Sequence, residues 1–151
     1  MNEKIFKKAY HMAEAAFQAD EVPVGAVIFN TETGEIITSA RNRTEALQSP
    51  LAHAEMICIR KALKKTGLKR LVGYSLFVTL EPCAMCAGAI AAVRLDNLYF
   101  GAYDPKSGAV YQGAKVFTHP QTHHKIRVTG GIHETECRDL MKNFFKAKRK
   151  V

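Results

Sequence analysis

Two short stretches organise this chain, His53-Ala54-Glu55 and Pro82-Cys83-Ala84-Met85-Cys86. The spacing of Cys83 and Cys86 puts both sulfurs on the first turn of a predicted helix, where backbone N–H groups without partners create a positive potential. That potential favours the thiolate, which is the form of cysteine that binds metals. His53 adds an imidazole, and a set of three protein ligands leaves the fourth tetrahedral position open, as catalytic zinc sites do. The two stretches therefore predict a catalytic Zn²⁺ centre, one per subunit, with ligands His53, Cys83 and Cys86.

Glu55 is the candidate for proton transfer at this centre. Residues two apart do not share a helix face, so His53 and Glu55 can converge on one point only at the start of a helix. Ser49-Pro50 supports a start here, because proline ends the preceding element. A carboxylate beside the metal that is not needed as a ligand is suited to general acid–base catalysis. The alternative is a solvated first-turn carboxylate that the helix dipole favours.

The two stretches are more specific together than apart. A lone C-x-x-C also fits a redox motif or half of a structural zinc site. An H-x-E stretch followed by P-C-x-x-C is the signature of zinc-dependent nucleobase deaminases. The combination favours catalysis, with Ala54 contributing backbone next to the site.

Length and composition indicate one globular domain, residues 1–151, with 47% hydrophobic and 24% charged residues. No apolar run is long enough to span a bilayer. The net charge of +8 fits either a polyanionic partner or a merely soluble basic surface. Cys58 and Cys137 occupy apolar-patterned positions and are predicted to be buried free thiols. Because nothing indicates disulfides, a cytoplasmic location is expected.

The hydrophobic pattern predicts alternating helices and strands in the order αββαβαβ(β)α. The predicted helices lie at about 3–20, 53–66, 83–93 and 134–148, and the predicted strands at about 22–29, 35–40, 75–80, 97–101 and 125–129. This order predicts an α/β fold, a three-layer α/β/α sandwich around a mixed five-stranded sheet. Strand–loop–helix units place the site at the strand ends.

Two helices carry further expectations. Helix 83–93 is small and apolar all round, which predicts that either the core or a second subunit covers it. The last helix is predicted to turn three apolar side chains inward and to carry a basic stripe at its end. The inward residues are Leu140, Phe144 and Phe145, and the stripe is Lys142, Lys146, Arg149 and Lys150.

Over nearly its whole length the chain resembles the bacterial-type tRNA-specific adenosine deaminases of the cytidine-deaminase-like superfamily. The resemblance rests on residues 22–27 (VPVGAV), 42–43 (NR), 52–55 (AHAE), 78–89 (VTLEPCAMCAGA), 100–102 (FGA) and 144–145 (FF). It implies hydrolysis of adenosine to inosine at the wobble position of a tRNA anticodon stem-loop. It also implies a homodimer, with His53, Cys83 and Cys86 as zinc ligands and Glu55 as the proton shuttle.

The resemblance further implies that Asn42 contacts the flipped base; the other reading of Asn42 is a turn residue. Asp104 and Lys106 belong to the loop after the fourth strand. Asp104 is expected to accept a hydrogen bond from a ribose 2′-OH, or else to cap its own turn. Phe145 is a candidate RNA contact at the last helix, although both adjacent phenylalanines could simply be core. The chain departs from the family pattern in these substrate loops, at Arg41, Thr44 and Tyr103.

Two other functions fit the same motif. One is a deaminase of the same fold that acts on a free base or nucleoside, such as guanine or cytosine. The other is a non-catalytic, zinc-stabilised RNA-binding module, which requires a fourth protein ligand. His119, His123 and His124 are predicted to lie in a surface loop rather than at the metal.

Overall fold

The computed structural model describes residues 1–149, so Lys150 of the predicted basic stripe lies outside the described residues. The helices are α1 (Glu3–Gln18), α2 (Ala54–Thr66), α3 (Ala84–Ala92) and α4 (Glu134–Arg149). The strands are β1 (Gly25–Asn30), β2 (Ile36–Arg41), β3 (Tyr74–Leu80), β4 (Asn97–Ala102) and β5 (Arg127–Thr129). A short 3₁₀ helix, Val116–Thr118, precedes β5.

The sheet is mixed, as predicted, and its strand order is β2-β1-β3-β4-β5. Strand β1 pairs antiparallel with both β2 and β3, whereas β3, β4 and β5 run parallel. The hairpin between β1 and β2 turns at Gly34, whose φ of 77° is a left-handed conformation that glycine adopts without a steric penalty. The parallel strands β3 and β4 end side by side, which brings the segments that follow them together.

Alternating side chains on the central strands build a core on each face of the sheet. On one face Ile28, Leu76 and Val78 pack against α2 and α3. On the other face Val27 and Phe77 pack against α1 and against Cys137 of α4. Because successive strand residues point to opposite faces, a sheet that is apolar on both must be covered on both. The observed layers are therefore the predicted three-layer α/β/α sandwich.

The first strand begins later than predicted, at Gly25 instead of Val22. Pro23 has no N–H to donate to a neighbouring strand, and Val24 N donates to Val22 O at 2.8 Å. Residues 22–24 therefore form a turn ahead of β1. Val22 and Val24 line the cavity described below.

One expectation for the last helix is wrong. Phe144 is buried, but Phe145 is 44% exposed. Adjacent residues on a helix point about 100° apart, so a helix with one buried stripe cannot turn both rings into the same core. Phe145 therefore belongs to the surface.

Helix α3 has an exposed stripe of small residues. Ala84, Gly88 and Ala92 are spaced by four and are exposed in the single chain, while Cys86 and Ile90 are buried. The core therefore covers only one side of α3, and the opposite side, with Ala84, Gly88 and Ala92, stays exposed in the single chain. Among residues 1–149, no helix has the length and apolar character needed to cross a membrane.

Candidate active site and metal centre

Helix α2 begins at Ala54 because a side chain from outside the helix satisfies its first turn. His53 is the N-cap residue in extended conformation and makes no capping hydrogen bond of its own. Instead, the buried Asn42 accepts a hydrogen bond from Ala54 N through Oδ1 at 2.7 Å. His53 is thereby free to point at the cysteines, and Glu55 follows it into the site.

Helix α3 places the two cysteines in the same way. Cys83 is its N-cap residue, in extended conformation, and its carbonyl accepts a hydrogen bond from Ala87 N at 2.9 Å. Cys86 lies in the first turn and is fully buried. The first turns of α2 and α3 therefore meet, as the motif spacing predicts.

The three predicted ligands lie together. His53 Nδ1 is 3.7 Å from Cys83 Sγ and 3.5 Å from Cys86 Sγ. Tetrahedral zinc, with Zn–S of about 2.3 Å and Zn–N of about 2.0–2.1 Å, separates sulfur and nitrogen ligands by about 3.6 Å. The donor set and its spacing therefore fit a tetrahedral metal ion. Within residues 1–149 the group of side chains that could hold a metal has these three members and no fourth.

The electrostatics of the group favour a thiolate. The hydrogen bonds from Cys86 and His53 lower the pKa of Cys83 to about 4. The pKa of Cys86 is raised by its hydrogen bond to Cys83 and by burial. A metal ion replaces the protons that these groups share, because it binds the deprotonated forms. Metal binding to Cys83 and Cys86 is therefore expected to release the proton that the two sulfurs share.

Glu55 is buried, only 4% exposed, and lines a cavity of about 240 Å³ beside the ligands. Burial raises the pKa of Glu55 to about 7. A carboxylate whose protonated and ionised forms are both accessible near neutral pH can accept and return a proton. The solvated first-turn carboxylate considered from the sequence is therefore wrong.

The cavity brings together most of the predicted site residues. Its lining consists of Val22, Val24, Asn42, Thr44, His53, Glu55, Leu80, Glu81, Cys83, Asp104 and Ser107. Asn42 holds Ala54 N with its oxygen, so its Nδ2 amide is the group left to contact a base. Lys106 is exposed on the neighbouring turn and does not line the cavity.

Asp104 caps its own turn. Its Oδ1 accepts hydrogen bonds from Lys106 N at 3.1 Å and from Ser107 N at 3.0 Å. This is one of the two roles that the sequence left open. The other oxygen, Oδ2, takes no part in these capping bonds, so the turn fixes the carboxylate at the rim of the cavity.

Two buried glutamates that hold the loops of the cavity are not predicted as site residues by the sequence; Glu81 lines the cavity itself and Glu21 lies behind the loop that follows Asn42. Glu21 accepts hydrogen bonds from Glu45 N and Ala46 N, at 3.0 and 2.8 Å, and so holds the loop that follows Asn42. Glu81 accepts four hydrogen bonds from the loop that follows β4. Burial alone would raise the pKa of each carboxyl, but the N–H donors outweigh it and leave both pKa values lowered. For Glu81 the sequence did carry a signal, an acidic residue between apolar neighbours in Leu80-Glu81-Pro82, whereas Glu21 follows the polar Asp20 and carries no such signal.

Beside the cavity that contains Glu55 lies a second groove, here called the α4 groove, which shares Leu80 and Asp104 with it. Its volume is about 240 Å³. The remaining lining residues are Ala102, Tyr103, Arg138, Met141, Lys142, Phe145 and Arg149. An exposed ring next to several cations is the combination that proteins use to bind single-stranded nucleic acid.

Comparison with known proteins agrees with this geometry. A sequence profile of the MafB19-like deaminase family matches residues 1–149. The tRNA-specific adenosine deaminase of Agrobacterium fabrum is 45% identical over 137 residues, which is 91% of this chain and 89% of that protein. The tRNA-specific adenosine deaminase of Bacillus subtilis is 41% identical over 149 residues, or 99% of this chain and 91% of that protein.

Solved structures show the same fold. A structure from a study of A-to-I editing by tRNA:A34 deaminases has a TM-score of 0.89 at 42% identity and covers 92% of this chain and 99% of its own. Guanine deaminase from Nitrosomonas europaea has a TM-score of 0.79 at 22% identity, covers 95% of this chain and 84% of its own, and shares the fold. The chain therefore belongs to the tRNA-specific adenosine deaminases, a family of enzymes that act on C–N bonds.

Proposed function

We propose that this protein is a zinc-dependent enzyme that hydrolyses adenosine to inosine at the wobble position of a tRNA anticodon stem-loop. The observation that carries the proposal is the cavity in which the buried Glu55 stands beside the group His53, Cys83 and Cys86. Relatives that match over most of the chain are named for this reaction.

The chemistry needs a nucleophile and a proton carrier, because adenine C6 is a poor electrophile and its amino group is a poor leaving group. Zinc held by His53, Cys83 and Cys86 would supply a water activated for attack at neutral pH. Glu55 accepts a proton from the attacking water and delivers it to ring N1. It then assists departure of ammonia from C6, so that water adds, ammonia leaves and inosine remains.

The walls of the cavity supply recognition. Asn42 offers its Nδ2 amide to the base, while its Oδ1 keeps the start of α2 in place. Asp104 offers its second oxygen to a ribose 2′-OH from the cavity rim. A flipped nucleotide would thus meet the two loops that Glu21 and Glu81 hold.

The flanking nucleotides would occupy the α4 groove. Phe145 supplies an exposed ring for stacking, and Arg138, Lys142 and Arg149 supply charge for phosphates. Lys106, exposed on the Asp104 turn, adds a cation at the cavity mouth.

The assembly that we propose is a homodimer, with the small-residue stripe Ala84, Gly88 and Ala92 of α3 facing the partner. Small side chains let two helices approach closely. We also propose a cytoplasmic location, because the substrate is a tRNA and the four cysteines are free thiols.

A substrate panel tests the reaction class. The purified protein loaded with zinc is incubated with an anticodon stem-loop, with free guanine and with free cytosine, and the products are identified by mass. We expect inosine from the stem-loop and no xanthine or uracil from the bases. Efficient conversion of a free base, with no reaction on the stem-loop, would support the free-base alternative.

Replacing both Lys142 and Arg149 by glutamine is expected to weaken RNA binding and to make the binding less sensitive to salt. Removal of one phosphate interaction with a single strand lowers the slope of log K against log salt by about 0.7, so the double variant should lower it by about 1.4. The matched control is the double variant Lys64→Gln/Lys69→Gln, which changes one lysine in the last turn of α2 and one just after the helix, neither of which lines the cavity. An unchanged slope in the first variant, or an equal decrease in the control, would argue against the α4 groove.

Replacing Asp104 with asparagine is expected to reduce discrimination against single-stranded DNA. A ribose 2′-OH can donate to the carboxylate, whereas deoxyribose leaves that charge without a partner. An uncompensated polar group costs about 1–3 kcal/mol, so the ratio of kcat/KM for RNA and DNA stem-loops should fall by about tenfold. Asparagine retains the oxygen that caps the turn, and an unchanged ratio would leave Asp104 as a turn cap alone.

A further inference from the structure

We propose that Glu81 is a positioning residue that locks the substrate-binding loop, residues 104–112, onto the turn that carries the metal ligand Cys83. The inference deepens the proposed function, since it assigns a task to a cavity residue that is neither a proposed metal ligand nor a proposed contact of the base. It rests on the hydrogen-bond network around one buried carboxylate.

Both oxygens of Glu81 are fully used by that loop. Oε1 accepts from Asp104 N at 3.0 Å and from the Gln112 side-chain amide at 2.9 Å. Oε2 accepts from Val110 N at 3.1 Å and from Tyr111 N at 2.9 Å. The residue is 2% exposed, so water cannot replace these bonds without opening the loop.

The same junction is tied through the backbone. Glu81 N donates to Ala102 O at 2.8 Å, and Ala109 N donates to Pro82 O at 2.9 Å. Residues 81–83 and the loop that bears Asp104 therefore form one hydrogen-bonded unit. This unit, together with the paired ends of β3 and β4, fixes the distance between Cys83 and the groups that would hold the ribose.

Gly108 closes the network from the other side. A Cβ built on Gly108 would lie 2.6 Å from the Glu81 carboxyl carbon, 2.6 Å from its Oε1 and 2.6 Å from Asp104 O. Glycine at this position is what lets the loop wrap the carboxylate so closely. Glu81→Gln therefore changes the carboxylate itself, and Gly108→Ala pushes the loop away from it, so both variants disturb the same contact between the loop and Glu81.

The experiment compares these two variants with wild type and with the control Ile5→Ala, which opens the core on the opposite face of the sheet. Glutamine replaces one carboxylate oxygen by an N–H₂ group, which removes two of the four hydrogen bonds. The new N–H₂ donor then faces N–H donors of the loop instead of an acceptor. For an anticodon stem-loop we expect KM to rise about 10- to 100-fold in both variants, with kcat changed less than about threefold. Bound zinc should be unchanged.

Amide hydrogen exchange without RNA gives a second readout. The N–H groups of Asp104, Val110 and Tyr111 should exchange at least about tenfold faster in both variants, and at the wild-type rate in Ile5→Ala. The double variant Glu81→Gln/Gly108→Ala should raise KM little further, because both changes break the same interaction.

An unchanged KM, or unchanged exchange at these amides in Glu81→Gln and Gly108→Ala, overturns the proposal. So does an equal rise of KM in Ile5→Ala, because reduced stability alone would then explain it. Failure of the wild type to convert the stem-loop would count against the proposed function. The exchange measurement would still decide whether Glu81 anchors the loop.

Discussion

Glu55→Gln is expected to lower the deamination rate about 100- to 10,000-fold while the protein keeps its fold and its metal. Glutamine has nearly the same size as glutamate, so it fits the buried position that Glu55 occupies. Its amide cannot accept the proton of the attacking water or return a proton to the leaving group. The change therefore removes proton transfer and leaves the rest of the cavity in place.

Turnover and metal content are to be measured on the same preparation of this variant, together with its thermal unfolding. The matched control is Glu32→Gln, an exposed glutamate in the hairpin turn, which should be as active as wild type. A Glu55→Gln protein that holds metal and turns over at the wild-type rate would show that another group carries the proton.

Cys86→Ala is expected to lose both metal and activity. His53 and Cys83 alone would remain as ligands, and two protein ligands hold zinc poorly. Because metal binding contributes to folding free energy, the melting temperature should fall and should no longer respond to a chelator. Bound zinc should drop from about one ion per chain to a small fraction of that.

The control for this variant is Cys137→Ala. Cys137 is also buried and free, but it packs against α1 on the other face of the sheet. We expect it to lose some stability and to keep its metal. Full metal occupancy in Cys86→Ala would mean that a different residue completes the set.

The grouping of His53, Cys83 and Cys86 could be predicted from the sequence because it consists of metal-binding residue types at short spacings. His53 and Glu55 are two apart, Cys83 and Cys86 are three apart, and each pair lies at a helix start that the sequence marks. The three-layer arrangement followed from the alternating order of the predicted helices and strands, and the burial of β3 along most of its length agrees with it. These features depend on local pattern, which a sequence displays directly.

The anchoring glutamates could not be predicted in the same way. The hydrogen bonds of Glu21 and Glu81 reach residues 23 to 31 positions further along the chain, and most of the donors are backbone N–H groups. A backbone donor leaves no trace in the side-chain pattern. Helical spacing already prevents Phe144 and Phe145 from sharing one buried stripe, but which of the two rings is buried depends on the elements that α4 packs against.

The most direct test of wobble-adenosine deamination compares two anticodon stem-loops that differ in one respect, adenosine at the wobble position or at the next position of the anticodon. Each is incubated with the zinc-loaded protein, and inosine is located by sequencing. We expect inosine in the first stem-loop and at least about 100-fold less in the second, because in the proposed binding mode the wobble base enters the cavity while its neighbours occupy the α4 groove. Equal conversion of both RNAs, or no inosine in either, would contradict the assignment.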